Sequence, residues 1–277
     1  MLIVVFGAGA SHGSSALRLD ARPPLTSELF AIQHSEIADR YPASRPAIMR
    51  LRHAMSGPDP KRPIEAEIAR LFEEAEYSPE RARHLLGLRF YLNDLVESIT
   101  SKWWQQLDGF SFYGQLLERL GSWRSANQEA IALVTFNYDE LLDLSAIAQA
   151  GDWSLADFPS YVKRPDWRLY KLHGSTTWSR VLRRQVAYDP SEANSVISDG
   201  ARLNFEEGEL VPVRWSGALN GREVVAAPGI AVPTNVKQTF SCPAEHQTLS
   251  RKDIERATRL IIIGWRAPEP PHRSSPG

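Results

Sequence analysis

Apolar residues follow two rhythms along this chain. The first is the short, nearly unbroken run. Leu2 to Phe6 is apolar throughout and ends in Gly7-Ala8-Gly9-Ala10-Ser11. Ile131 to Phe136, Arg168 to Leu172 and Thr258 to Ile263 share that look, and Val224 to Val232 is a weaker fifth run broken by Pro228 and Gly229. Short apolar runs bounded by turn residues predict strands buried on both faces, as in a parallel sheet. The second rhythm is helical. Ile64, Ile68, Leu71, Phe72 and Ala75 form a stripe with Glu65, Glu67, Glu73 and Glu74 elsewhere. Ser78-Pro79-Glu80 then supplies an N-cap and a proline at the first helical position, ahead of Leu85, Leu88, Leu92, Leu95, Val96 and Ile99.

Strands separated by helical patterns predict an α/β sheet with crossover connections. The stretch between the first two strands is longer than one crossover helix requires, so an inserted helical module is expected at about 24–125. Tyr188 to Gly208 is polar and turn-rich and reads as loop. From 265 to 277 the chain has Pro268, Pro270, Pro271 and Pro276 and no periodicity, which predicts a disordered tail.

Composition removes several function classes. The 277 residues are 43% hydrophobic, enough to build a sizeable core. Lys and Arg total 32 against 33 Asp and Glu, which leaves no overall electrostatic footprint for nucleic acid or an anionic membrane. The eight tryptophans are not interleaved with a basic stripe and read as packing residues. One cysteine, Cys242, permits neither an internal disulfide nor a zinc site with two Cys ligands, and suits a reducing compartment. No apolar run approaches the ~20 residues of a membrane helix, and the N-terminus lacks the basic region of a signal peptide. A soluble, cytoplasmic protein is expected.

Three places could carry chemistry. Gly7-Ala8-Gly9 follows a strand, where closely spaced glycines let backbone amides approach a pyrophosphate. The third glycine of the dinucleotide fingerprint is replaced by His12, so a tight strand-to-loop turn is an equal reading. Thr135-Phe136-Asn137-Tyr138-Asp139 ends a second strand. There Asn137 could hold a ribose hydroxyl or a water, while helix capping by Asn or Asp is the competing reading. Lys171-Leu172-His173-Gly174-Ser175 ends a third, where His173 could serve proton transfer at a sheet's ligand edge, while a strand-end histidine hydrogen-bonded to a neighbouring loop is the competing reading. No histidine pair with a nearby carboxylate has metal-ligand spacing, and no metal is expected.

In chain order these elements become more specific. Gly7-Ala8-Gly9-Ala10-Ser11, Pro24-Leu25-Thr26, Asn137-Tyr138-Asp139, Leu172-His173-Gly174-Ser175, Val232-Pro233-Thr234 with Lys237, and Leu260-Ile261-Ile262-Ile263-Gly264 resemble the sirtuin-like superfamily. Within it, the likeness is to the bacterial sirtuin-like NAD hydrolases of antiphage defence, and it runs over residues 1–264. The resemblance implies a Rossmann-like, mostly parallel sheet that binds NAD as substrate, with the helical module packed beside it. It implies catalysis by Asn137 and His173, a pyrophosphate held by Gly7, Ala8, Gly9, Ala10 and Ser11, and support from Asp139, Gly174 and Ser175. Ser11 and Thr26 would line the nicotinamide-ribose pocket and Gly264 the adenosine side. The implied reaction is cleavage of the nicotinamide–ribose bond to nicotinamide and ADP-ribose. Such an activity also implies a silent resting state, released by an activating protein partner or by homo-oligomerisation.

Two departures refine the expectation. The chain lacks the four-cysteine zinc module and the Ala-Gly-Ile-Pro-Asp-Phe-Arg type loop of protein-deacylating sirtuins, carrying Arg22-Pro23-Pro24-Leu25-Thr26 instead. Both point away from acyl-lysine and toward water as the acceptor. Trp265-Arg266-Ala267 stands where relatives carry a Gly-Tyr-Ser-like turn, and the stop 13 residues after Gly264 is what a truncated coding sequence would give. The alternatives are an NAD-dependent ADP-ribosyltransferase or deacylase, and a non-catalytic module that senses NAD or ADP-ribose.

Overall fold

A computed structural model of the chain describes residues 1–16, 22–56, 64–108, 110–151, 153–182, 193–200, 208–215, 225–233 and 240–265. It opens with β1 (Leu2–Phe6), the short helix α1 (Ala8–His12), α2 (Ser35–Asp39), α3 (Arg45–Ser56), α4 (Ile64–Glu76), α5 (Pro79–Leu107) and α6 (Phe112–Asn127). Then follow β2 (Ile131–Thr135), α7 (Leu141–Ala150), α8 (Phe158–Val162), β3 (Trp167–Lys171) and β4 (Gly174–Leu182). The chain continues through α9 (Ala193–Gly200), β5 (Glu209–Val211), β6 (Val225–Ile230), α10 (Ala244–Glu255) and β7 (Arg259–Ile263).

The four apolar runs of the sequence form one all-parallel sheet in the order β3-β2-β1-β7. The fold is therefore α/β with a Rossmann-like parallel sheet. Helices cover both faces of the sheet at β1, β2 and β3, which suits the apolar runs of β1 and β2. On one face Phe6 packs against Tyr113 of α6, and Lys171 reaches Asp143 of α7. On the other, Arg168 and Tyr170 bond to Asp253 of α10. The middle strands β1 and β2 are almost wholly buried, whereas β7 is exposed along its length.

The fifth apolar run does not join this sheet. It becomes β6, which pairs antiparallel with β4 in a separate three-stranded sheet ordered β5-β4-β6. The reversal occurs at Gly174, whose φ of +87° turns the chain back immediately after β3. A Cβ there would sit 1.9 Å from the Gly229 carbonyl oxygen, so only glycine fits. The loop expected over Tyr188 to Gly208 also needs correcting, because its middle is the helix α9. Val196 and Ile197 are buried against the α5 side of the molecule, and that packing overrides a locally polar sequence. Thr234, Lys237 and the tail beyond Trp265 lie outside the described residues.

Between β1 and β2 the helical stripes form as the spacing predicts. Ser78 caps α5 by accepting from the Arg81 amide. This helix of 29 residues, about 43 Å long, touches two cores. Its middle, with Leu88, Phe90, Tyr91 and Leu92, belongs to a core shared with α3, α4, α9 and β6. Its end, with Trp103 and Leu107, enters the core of the parallel sheet. There Trp103 Nε1 donates to Ser14 Oγ at 2.8 Å, just past α1.

Candidate active site at the carboxyl edge of the parallel sheet

Because the sheet is parallel, the ends of β3, β2, β1 and β7 lie side by side on one edge. The chain steps from β1 to β2 and β3 on one side and comes back to β7 on the other. Ligands of open α/β sheets bind outside the carboxyl ends, where the strand order reverses in this way. The turns that follow β1, β2, β3 and β7 carry, respectively, Gly7 to Ser11, Asn137 with Asp139, His173, and Gly264.

Asn137 is buried and does not cap α7. Its Nδ2 donates to the Gly7 carbonyl at 2.9 Å and to Ser11 Oγ at 2.9 Å, with the Tyr113 hydroxyl at 3.5 Å. Asp139, one residue ahead of the Glu140 N-cap, accepts from the Leu141 amide at 3.0 Å through Oδ1. Asp139 Oδ2 accepts from Ser11 Oγ at 2.8 Å. Asn137, Asp139, Ser11 and Gly7 thus come together across β1 and β2. Beneath them lies Lys171, fully buried at 0% exposure. Its Nζ donates to the Asp139 carbonyl at 2.5 Å and pairs with Asp143 at 2.7 Å. A buried ammonium is tolerated only when paired in this way. Burial raises the Asp139 carboxyl above its ordinary value, against the pull of Lys171 and the Ser11 and Leu141 hydrogen bonds.

His173 sits at the junction of the two sheets. Its carbonyl accepts from the Ala231 amide at 2.9 Å, which anchors the backbone. Its ring lies 5.0 Å from that of Phe136 and 6.5 Å from that of Tyr138. Phe136 in turn lies 5.7 Å from Trp265. Desolvation among these rings lowers the imidazole from 6.5 to about 4, so it is neutral at physiological pH. A neutral imidazole can accept a proton or polarise a hydroxyl.

The glycine turn serves backbone packing first. A Cβ on Gly7 or Gly9 would come within 2.7 or 2.8 Å of the Gly264 carbonyl oxygen. Gly264, at φ +62°, would carry its Cβ 2.0 Å from the Ala10 nitrogen. The Gly7 amide donates to Ile263, the Gly9 amide to Gly264 and the Ala10 amide to Gly7. The amides of Gly7, Gly9 and Ala10 are thus all used within the turn and its contact with β7. Ser175 is buried, with its hydroxyl 3.0 Å from Thr177 Oγ1. Thr26 begins a short 3-10 turn that is half-buried, and its segment is tied to α1 through His12 Nδ1 and the Pro23 carbonyl at 2.9 Å.

Sequence reasoning missed Tyr113, Lys171, Asp143 and the ring row of Phe136, Tyr138 and Trp265. Lys171 carried a signal, since a lysine directly after Leu169 and Tyr170 near the end of a buried strand is anomalous. Tyr113 carried none, because α6 delivers it from more than a hundred residues beyond Ser11. Among the described residues no cluster of three or more His, Cys, Asp or Glu could hold a metal ion, and no helix is long and apolar enough to cross a membrane. No protein-family model, curated protein or solved structure matches the chain.

Proposed function

We propose that this protein is a sirtuin-like NAD glycohydrolase that cleaves the nicotinamide–ribose bond of NAD with water. One observation carries the reading most. An oriented carboxamide, Asn137, and a neutral imidazole, His173, stand at the carboxyl ends of adjacent parallel strands, beside the turn of Gly7 to Ser11. The ordered set of elements that resembles the sirtuin-like superfamily supports the same reading, and so does the reversal of strand order at β1.

In this reaction the bond between C1′ and the pyridinium nitrogen breaks, and nicotinamide leaves with the electron pair. The ribose becomes an oxocarbenium ion, and a water oxygen bonds to C1′ and releases a proton. Asn137 holds that water through Oδ1, and His173 accepts the proton, both acting on charge that develops only in the transition state. Ser11 and Thr26 border the nicotinamide ribose, and Gly264 the adenosine side. Because unchecked NAD hydrolysis would be toxic to the cell, such an activity is kept silent until a partner or self-assembly releases it.

The test follows NAD consumption in water enriched in oxygen-18. Hydrolysis predicts nicotinamide in equal amount to ADP-ribose that carries the heavy oxygen at C1′. Nicotinamide release with label on protein would make it a transferase. Tight NAD binding with no product would make it a sensor.

A further inference from the structure

With Asp139 as a carboxylate, the buried side chains under Asn137 admit one consistent set of donors. Ser11 Oγ lies 2.9 Å from Asn137 Nδ2, 3.0 Å from the Tyr113 hydroxyl and 2.8 Å from Asp139 Oδ2. A serine hydroxyl has one proton and two lone pairs. Asp139 accepts on both oxygens, from Ser11 and from the Leu141 amide at 3.0 Å, as a carboxylate does. Ser11 therefore gives its only proton to Asp139, and its lone pairs accept from Asn137 and Tyr113. The Gly7 carbonyl, 2.9 Å from the same Nδ2, is a second acceptor that demands the amide end of Asn137. A carboxamide turned over would set its oxygen against the Gly7 carbonyl and against a serine with no proton left to give.

We propose that Asp139 and Ser11 are positioning residues for Asn137. The carboxylate, acting through the serine's single proton, holds the carboxamide with Nδ2 inward and Oδ1 toward the site. Lys171 fixes the carboxylate's own backbone by donating to the Asp139 carbonyl at 2.5 Å. Tyr113 is secondary, because it adds a donor to a hydroxyl whose direction Asp139 has already set. The catalytic consequence rests on the hydrolase reading, whereas the orientation does not. An asparagine at position 139 keeps the shape but has one acceptor where two are required. It must turn its amide either on the Leu141 N–H or on Ser11, and the second choice frees the serine proton to point at Asn137.

The experiment reads hydrogen exchange of the Asn137 side-chain amide by nitrogen-15 NMR, with the signal assigned as the one lost in Asn137→Ala. Wild type, Ser11→Ala, Asp139→Asn and Tyr113→Phe are compared, and thermal unfolding checks the fold. Exchange is expected to rise about tenfold or more in Ser11→Ala and Asp139→Asn and to stay near wild type in Tyr113→Phe. Unchanged exchange in both of the first two variants would overturn the proposal. Either one decides alone if the other does not fold. In NAD turnover Asp139→Asn is expected to lose roughly 100-fold in kcat while KM holds. A wild type with no turnover removes the hydrolase reading and leaves the exchange result standing.

Discussion

His173 shows how a single residue's surroundings set its chemistry. Its imidazole is lowered to about 4 by desolvation, below the ordinary 6.5. A group whose folded value is depressed contributes stability that is present above 6.5 and is lost as pH falls toward 4, because the unfolded chain takes up the proton first. Wild type is expected to lose about 3 kcal/mol relative to His173→Gln between those limits, read from denaturant midpoints at each pH. If the neutral ring serves catalysis, the acid limb of kcat/KM falls near pH 4. A limb at 6.5 would mean the imidazole is solvated in the free enzyme. Gly174 makes a second prediction at this scale. With φ at +87° and the Gly229 oxygen 1.9 Å from an added Cβ, Gly174→Ala is expected to cost more than about 3 kcal/mol and lower Tm sharply. The strand-end elements were legible because small and polar residues directly follow apolar runs. Their partners Tyr113 and Asp143 were not, since helices bring them in from elsewhere in the chain.

Among the elements, β1, β2 and β7 could be read because short continuous apolar runs bounded by turn residues have few other uses. β4 could not, since Gly174 to Trp178 is mostly small and polar and its pairing depends on the turn that Gly174 permits. β6 was legible as a strand but not as a member of a second sheet, for the same reason. The parallel sheet itself is asymmetric. Leu133 in β2 is fully buried, whereas Leu260, Ile261 and Ile262 in β7 are 60%, 39% and 49% exposed. Leu133→Ala is expected to cost roughly 2–5 kcal/mol in chemical unfolding. Leu260→Ala is expected to stay within about 0.5 kcal/mol. Equal losses would mean that β7 is covered in solution.

Across the whole molecule, the helices between β1 and β2 are joined to the site by more than chain connection. The long helix α5 runs from one core into the other, and near its end Trp103 donates to Ser14, three residues past Ser11. Arg214 pairs with Glu97 of α5 and with Glu140, the neighbour of Asp139, at 2.9 Å for the second. These contacts tie α5 to both turns that hold Asn137. The central claim is that Asn137 and His173 together hydrolyse NAD at this edge. The most direct measurement is nicotinamide and ADP-ribose release by wild type, Asn137→Ala and His173→Ala. Each substitution is expected to reduce turnover by roughly 100-fold or more while the fold and NAD binding persist. Turnover that survives both substitutions at the wild-type rate would contradict the assignment of this edge as the active site.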